Sequence, residues 1–105
     1  MWILQSSGSG DRELTFRLRP GGIKTVGRAP RADFIVDAAL VSRLHCRLEA
    51  GDDNLDVIDL SSTNGTYVNG KRVKRARLTS GDRLRVGRVE LTVERAERAA
   101  SRGAR

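Results

Sequence analysis

Hydrophobic side chains recur along this chain at every second position, the signature of half-buried strands. Leu14, Phe16 and Leu18 alternate with Glu13, Thr15, Arg17 and Arg19 and stop at Pro20-Gly21-Gly22. The same pattern returns where Cys46 and Leu48 alternate with His45, Arg47 and Glu49, at Leu84 and Val86, and where Val89, Leu91 and Val93 alternate with Glu90, Thr92 and Glu94. Trp2-Ile3-Leu4 and Leu55 to Leu60 read as further strands. Ile23 to Val26 is expected to be the hairpin partner of the strand before it, and Phe34-Ile35-Val36 a short strand with buried faces. Asn69-Gly70, between Thr66-Tyr67-Val68 and Arg72-Val73, suits a two-residue hairpin turn, because both central residues of such a turn take positive φ. About ten short strands punctuated by Gly, Asn, Asp or Pro, with no amphipathic helix of useful length, predict an all-β antiparallel sandwich or barrel.

Two stretches fall outside this pattern. Ser6 to Asp11 has the composition of a flexible loop. Beyond Val93 no large apolar side chain remains to be buried, so the expected organisation is one domain over 1–94 and a basic solvated tail over 95–105. A chain of 105 residues has room for one core, and 38% hydrophobic with 31% charged residues argues against disorder. No apolar run approaches membrane-spanning length. Met1-Trp2-Ile3-Leu4 passes at once into polar Gln5-Ser6-Ser7-Gly8, which reads as a strand and not as a secretory signal. The expected location is cytoplasmic, or nuclear in a eukaryotic cell. With one cysteine, Cys46, and one histidine, His45, an internal disulfide and a zinc site of N and S ligands are excluded, and no cofactor is expected. The net charge of +7 favours an anionic partner. Arginine outnumbers lysine 17 to 3, which suits bidentate recognition of phosphate but is explained at least as well by a GC-rich genome.

Candidate chemistry lies at three strand-to-loop junctions: Gly27-Arg28, Ser42-Arg43 with His45, and Ser62-Thr63-Asn64. Loops of a sandwich cluster at its two ends, so the three converge if they fall at the same end. Arginine forks with hydroxyl and backbone donors are what a phosphate dianion needs, since charge-assisted hydrogen bonds are about twice as strong as neutral ones.

In order and spacing, Gly27-Arg28, Ser42-Arg43-Leu44-His45, Asn64-Gly65 and Asn69-Gly70, within the fuller Asp59 to Gly70 string, resemble a forkhead-associated (FHA) domain over roughly Trp2 to Val93. The resemblance implies a β-sandwich of about eleven strands whose loops bind phosphothreonine, as readers of phosphorylated motifs do through arginine clusters. It implies that Arg28 makes the main ion pair to the phosphate, that Ser42 donates its hydroxyl and that Arg43 adds charge. Thr63 would contact the phosphate or the phosphoresidue, and Asn64 would hold the peptide backbone extended. Gly27, His45, Gly65 and Asn69 would be structural support. The family's preference for phosphothreonine over phosphoserine is ascribed to a niche for the methyl group, worth about 0.8 kcal/mol. Leu44, where a basic residue is frequent, and Cys46, where alanine is frequent, depart from the commonest pattern and bear on the residues flanking the phosphothreonine.

Other readings fit less well. Gly65 to Lys71 matches the start of a Walker A loop, but Arg72 stands where the metal-binding hydroxyl belongs and no helix pattern follows. Ser42, His45 and Asp59 lack an oxyanion-hole motif, so catalysis is not expected. Cys46 reads as a small core residue. Lys71 to Arg77 reads first as a solvated hairpin face, and nucleic acid is not the expected partner. The expected partner is a protein carrying phosphothreonine written by a Ser/Thr kinase. The alternative is a phosphate-independent scaffold or self-association domain of the same fold.

Overall fold

The computed structural model describes residues 1–6 and 13–96. The loop expected after Ser6 and the tail expected over 95–105 lie, from 7 to 12 and from 97 onward, outside the described residues. Among the described residues there are eleven strands: β1 (Trp2–Ser6), β2 (Thr15–Leu18), β3 (Ile23–Gly27), β4 (Phe34–Ile35), β5 (Cys46–Ala50), β6 (Leu55–Asp59), β7 (Thr66–Val68), β8 (Lys71–Val73), β9 (Arg75–Leu78), β10 (Arg83–Val86) and β11 (Val89–Arg95). They form a six-stranded sheet in the order β2-β1-β11-β10-β7-β8 and a five-stranded sheet in the order β4-β3-β5-β6-β9. Every pairing is antiparallel except that of β3 with β4. Among the described residues no helix is long and apolar enough to cross a membrane.

The two-residue period decides which face each strand buries. Trp2, Leu4, Leu84 and Leu91 from one sheet meet Leu48 and Val57 from the other, each 1% exposed or less. Fully burying one such Leu or Val contributes about 1.5–3 kcal/mol. The indole of Trp2 donates its N–H to the Gly51 carbonyl at 3.1 Å, so its one polar atom is satisfied. At the sheet edges, Phe16 of β2 stacks on Phe34 of β4 with ring centroids 4.6 Å apart, closing that side of the sandwich.

Three expectations change. The segment Ile23 to Val26 is not a hairpin partner of β2. It lies in the other sheet, because the Pro20-Gly21-Gly22 turn crosses between layers and docks on β5, with Gly21 N–H to Ala50 C=O at 2.8 Å and Ala50 N–H to Gly22 C=O at 2.9 Å. Ile35 is 42% exposed, since β4 is a two-residue edge strand that buries only Phe34 and the following Val36. The basic run 71–77 is not one hairpin face. It changes sheet at Lys74, which leaves Lys71 and Arg72 on β8 and sends Arg75 and Arg77 to Asp56 at 3.4 and 3.1 Å. The Asn69-Gly70 turn does join β7 to β8, with φ of 51° and 85° and Val68 opposite Lys71. β11 runs through Arg95, opposite Trp2, one residue past the expected domain end.

Candidate phosphopeptide site

Three loops meet at one end of the sandwich, and backbone hydrogen bonds fix them to one another. Arg28 N–H donates to Ser42 C=O at 3.0 Å and Ala29 N–H to Arg43 C=O at 3.1 Å, zipping the loop after β3 to the loop before β5. Gly27 permits this close approach, because a Cβ there would collide with the Arg43 carbonyl. The Nε of Arg28 donates to the Val41 carbonyl at 3.0 Å, which fixes the guanidinium while leaving its terminal amino groups as donors. The loop after β6 is then tied on: Thr63 N–H donates to Ser42 Oγ at 3.0 Å and Asn64 Nδ2 to the Leu40 carbonyl at 3.1 Å. Because Ser42 Oγ accepts in that bond, its own O–H remains available to donate.

His45 lies beneath these loops, fully buried. Its Nδ1 faces the Ser42 N–H at 3.0 Å and its Nε2 faces the Gly65 carbonyl at 2.9 Å. The partners set the tautomer: Nδ1 accepts and Nε2 carries the proton. Both ring nitrogens are thereby committed to backbone groups of two loops, so the Ser42 hydroxyl has no base at His45. Asp59 secures the third loop in a similar way. Ser62 Oγ donates to its Oδ1 at 2.5 Å, Thr66 Oγ1 at 2.7 Å, and Ser62 N–H reaches Oδ2 at 3.1 Å. Burial pushes the Asp59 carboxyl up, but the hydrogen bonds from Ser62 and Thr66, with His45 nearby, outweigh it and hold the group below the usual carboxylate range. Ser62 Oγ also accepts from Gly65 N–H at 3.0 Å, and Gly65 takes φ of 90°, a conformation that glycine adopts without strain.

The outcome is an open groove of about 510 Å³ lined by Arg28, Ala39, Leu40, Val41, Ser42, Arg43, Thr63 and Asn64. All five residues expected to touch the ligand line it: Arg28, Ser42, Arg43, Thr63 and Asn64. Its charged groups are two arginines, with no carboxylate among the lining residues. Gly27, His45 and Gly65 sit behind it. Asn69 does not; its amide holds the β7–β8 turn against β10, through Asp82 at 3.1 Å and the Arg83 N–H at 2.9 Å. Among the described residues no group of three or more His, Cys, Asp or Glu is placed to hold a metal ion.

Sequence reasoning missed Leu40 and the anchoring role of Asp59. Leu40 takes φ of 72°, is 45% exposed, and offers its side chain at the rim and its carbonyl to Asn64. No sequence signal marks it, since leucine rarely adopts a left-handed conformation. Asp59 was legible: an aspartate three residues ahead of a serine is a local turn pattern.

The family model for the FHA domain matches residues 24–87, which contain every residue of the groove. The chain belongs to the FHA domain family. It is 39% identical over 67 residues to an oxoglutarate dehydrogenase inhibitor of Corynebacterium diphtheriae, a match covering 64% of this chain and 47% of that protein. The match covers less than half the length of the curated relatives. Two solved FHA structures superpose closely. One, determined in work on phosphothreonine-dependent FHA domain interactions, has a TM-score of 0.81 at 33% identity and covers 91% of this chain and 97% of its own. The other, the FhaA FHA domain complexed with the intracellular domain of Rv3910, has a TM-score of 0.80 at 34% identity and covers 90% and 100%. The expected FHA sandwich of about eleven strands is the fold observed.

Proposed function

We propose that this FHA domain is a non-catalytic reader of phosphothreonine in an extended peptide, coupling the output of a Ser/Thr kinase in the cytoplasm to a protein–protein contact. The observation that carries this reading is the convergence of Arg28, Ser42, Arg43, Thr63 and Asn64 on one groove without a carboxylate. Arg28, already fixed through Nε, presents its terminal amino groups to the phosphate dianion. The free O–H of Ser42 donates to a phosphate oxygen, and Arg43 adds positive charge at the rim. Thr63 contributes its exposed hydroxyl. The Oδ1 of Asn64 accepts from a peptide N–H while the remaining amide hydrogen donates to a peptide carbonyl, which holds the ligand extended. Leu40 supplies an apolar rim for a side chain flanking the phosphoresidue.

Fluorescence anisotropy with matched phosphothreonine, phosphoserine and unmodified peptide pools tests the proposal. Saturable binding is expected for the phosphothreonine pool, with Arg28→Ala weakening it by about 2–5 kcal/mol, as truncating one partner of a charge-assisted pair does. Equal affinity for phosphorylated and unmodified pools would instead support the phosphate-independent scaffold.

A further inference from the structure

Arg72 stands outside the groove but next to it. Its side chain lies across Gly65, so that a Cβ built there would meet Nε at 2.6 Å and Cζ at 3.0 Å. Gly65 follows directly on the groove residues Thr63 and Asn64. Arg72 is also the first member of a row on the outer face of the six-stranded sheet. It pairs with Tyr67, Tyr67 pairs with Arg85, and the Arg85 guanidinium stacks 4.1 Å from the centre of the Tyr67 ring. Arg85 is further held by donating to the Gly87 carbonyl at 3.2 Å, while exposed Arg83 lies two residues away on the same face. Among the described residues no ion pair joins Arg72, Arg83 or Arg85 to a carboxylate. Arg75 and Arg77, by contrast, are both taken up by Asp56. The part of the basic run that flanks the groove is therefore the part without an ion pair, and the carboxylate in its row, Glu90, lies at the far end, opposite Arg85.

We infer that Arg72, backed by the Tyr67–Arg85 row, forms a second anion subsite that takes an Asp or Glu side chain of the same bound phosphopeptide. The inference rests on the phosphothreonine reading of the groove. Distance limits where that acidic residue falls. Thr63 N–H touches Ser42 Oγ at 3.0 Å and Gly65 is two residues further on, so the Arg72 guanidinium lies at most about 17 Å from the Ser42 hydroxyl. An extended peptide advances about 3.3 Å per residue, which places the acidic residue within about five positions of the phosphothreonine. A planar guanidinium suits a carboxylate because two N–H groups match two oxygens. Arg85, stacked on the Tyr67 ring in the same row, adds to the positive field that the acidic side chain meets.

The test is a set of phosphothreonine peptides identical but for a single Glu walked from five residues before to five residues after the phosphoresidue, titrated into wild type, Arg72→Ala, Arg72→Glu and Arg28→Ala. One or two adjacent Glu positions should tighten wild-type binding by about 2–5-fold, in keeping with an exposed ion pair. Arg72→Ala should abolish that gain and Arg72→Glu turn it into a loss, while both still prefer phosphothreonine over threonine. Arg28→Ala should lose binding at every Glu position. Identical profiles for wild type and Arg72→Ala overturn the subsite and leave the phosphothreonine reading standing. Failure of wild type to bind any member of the set overturns both. Arg72-dependent binding of a single-stranded oligonucleotide that is tighter than binding of any acidic phosphopeptide reassigns the row to nucleic acid and overturns the subsite as well.

Discussion

Replacing His45 by alanine removes the buried side chain that ties the Ser42 loop to the Gly65 loop from beneath, while the ties through Ser42 Oγ and Asn64 Nδ2 remain. The change strands two backbone groups, the Ser42 N–H and the Gly65 carbonyl. A buried polar group left without a partner costs about 1–3 kcal/mol, and the vacated imidazole volume adds a cavity term, so the total is roughly 3–6 kcal/mol. That is a large fraction of the roughly 5–15 kcal/mol available to a domain of this size. Urea unfolding can follow it through the fluorescence of Trp2, the single tryptophan, which is 1% exposed in the fold. His45→Asn supplies the control. Its amide oxygen can stand near the Nδ1 position and accept from Ser42, but it is too short to reach Gly65, so about half of the lost stability should return. Phosphopeptide affinity should fall in step, because Ser42, Thr63 and Asn64 lose their fixed spacing. A destabilisation below about 1 kcal/mol, or an asparagine variant no better than alanine, would refute the strut.

Other consequences are simpler to check. Asp59 is held below its ordinary range in the fold, so it binds protons less readily than in the unfolded chain; its contribution is complete above about pH 4 and is lost as pH falls through its lower folded value. Unfolding free energies measured between pH 7 and 2 should decline over that window, and the decline should shrink in Asp59→Asn. Asn69→Ala puts a β-carbon residue without amide bonds at φ of 51° and should destabilise by about 1–3 kcal/mol in urea. Burial pushes the Cys46 thiol up to about 12, so a disulfide-exchange reagent at pH 8 should label it only at the rate of unfolding; prompt labelling of the native protein would contradict its place in the core.

The strand content was legible because alternation maps directly onto a sheet with one dry face: Leu84 and Val86, or Leu91 and Val93, declare their buried side without reference to anything else. Which strands share a sheet was not, as β3 shows. A turn such as Pro20-Gly21-Gly22 reverses the chain, and local residue chemistry does not encode whether it returns to the same layer or crosses to the other. That choice is made by long-range bonds to Ala50. The three loop junctions were legible because arginines, hydroxyls and amides there suit an anion, and the five groove residues within them were singled out by the resemblance to the FHA family. Leu40 was hidden because its role comes from a backbone conformation imposed by its neighbours, with Asn64 on one side and the close approach of Gly87 on the other. Arg72 was read as one more charge in a basic run, since the change of sheet at Lys74 that separates it from Arg75 is a tertiary event.

The most direct test of the central claim is a titration of uniformly labelled protein with one phosphothreonine peptide and its unmodified twin, followed by backbone and side-chain amide shifts. The account predicts saturating shifts for the phosphorylated peptide at the amides of Arg28, Ser42, Arg43, Thr63 and Asn64, at the Nε–H of Arg28 and at the side-chain amide of Asn64, with the unmodified peptide leaving all of them in place. Shifts confined to the outer faces of the sheets, or the same shifts with both peptides, would contradict it.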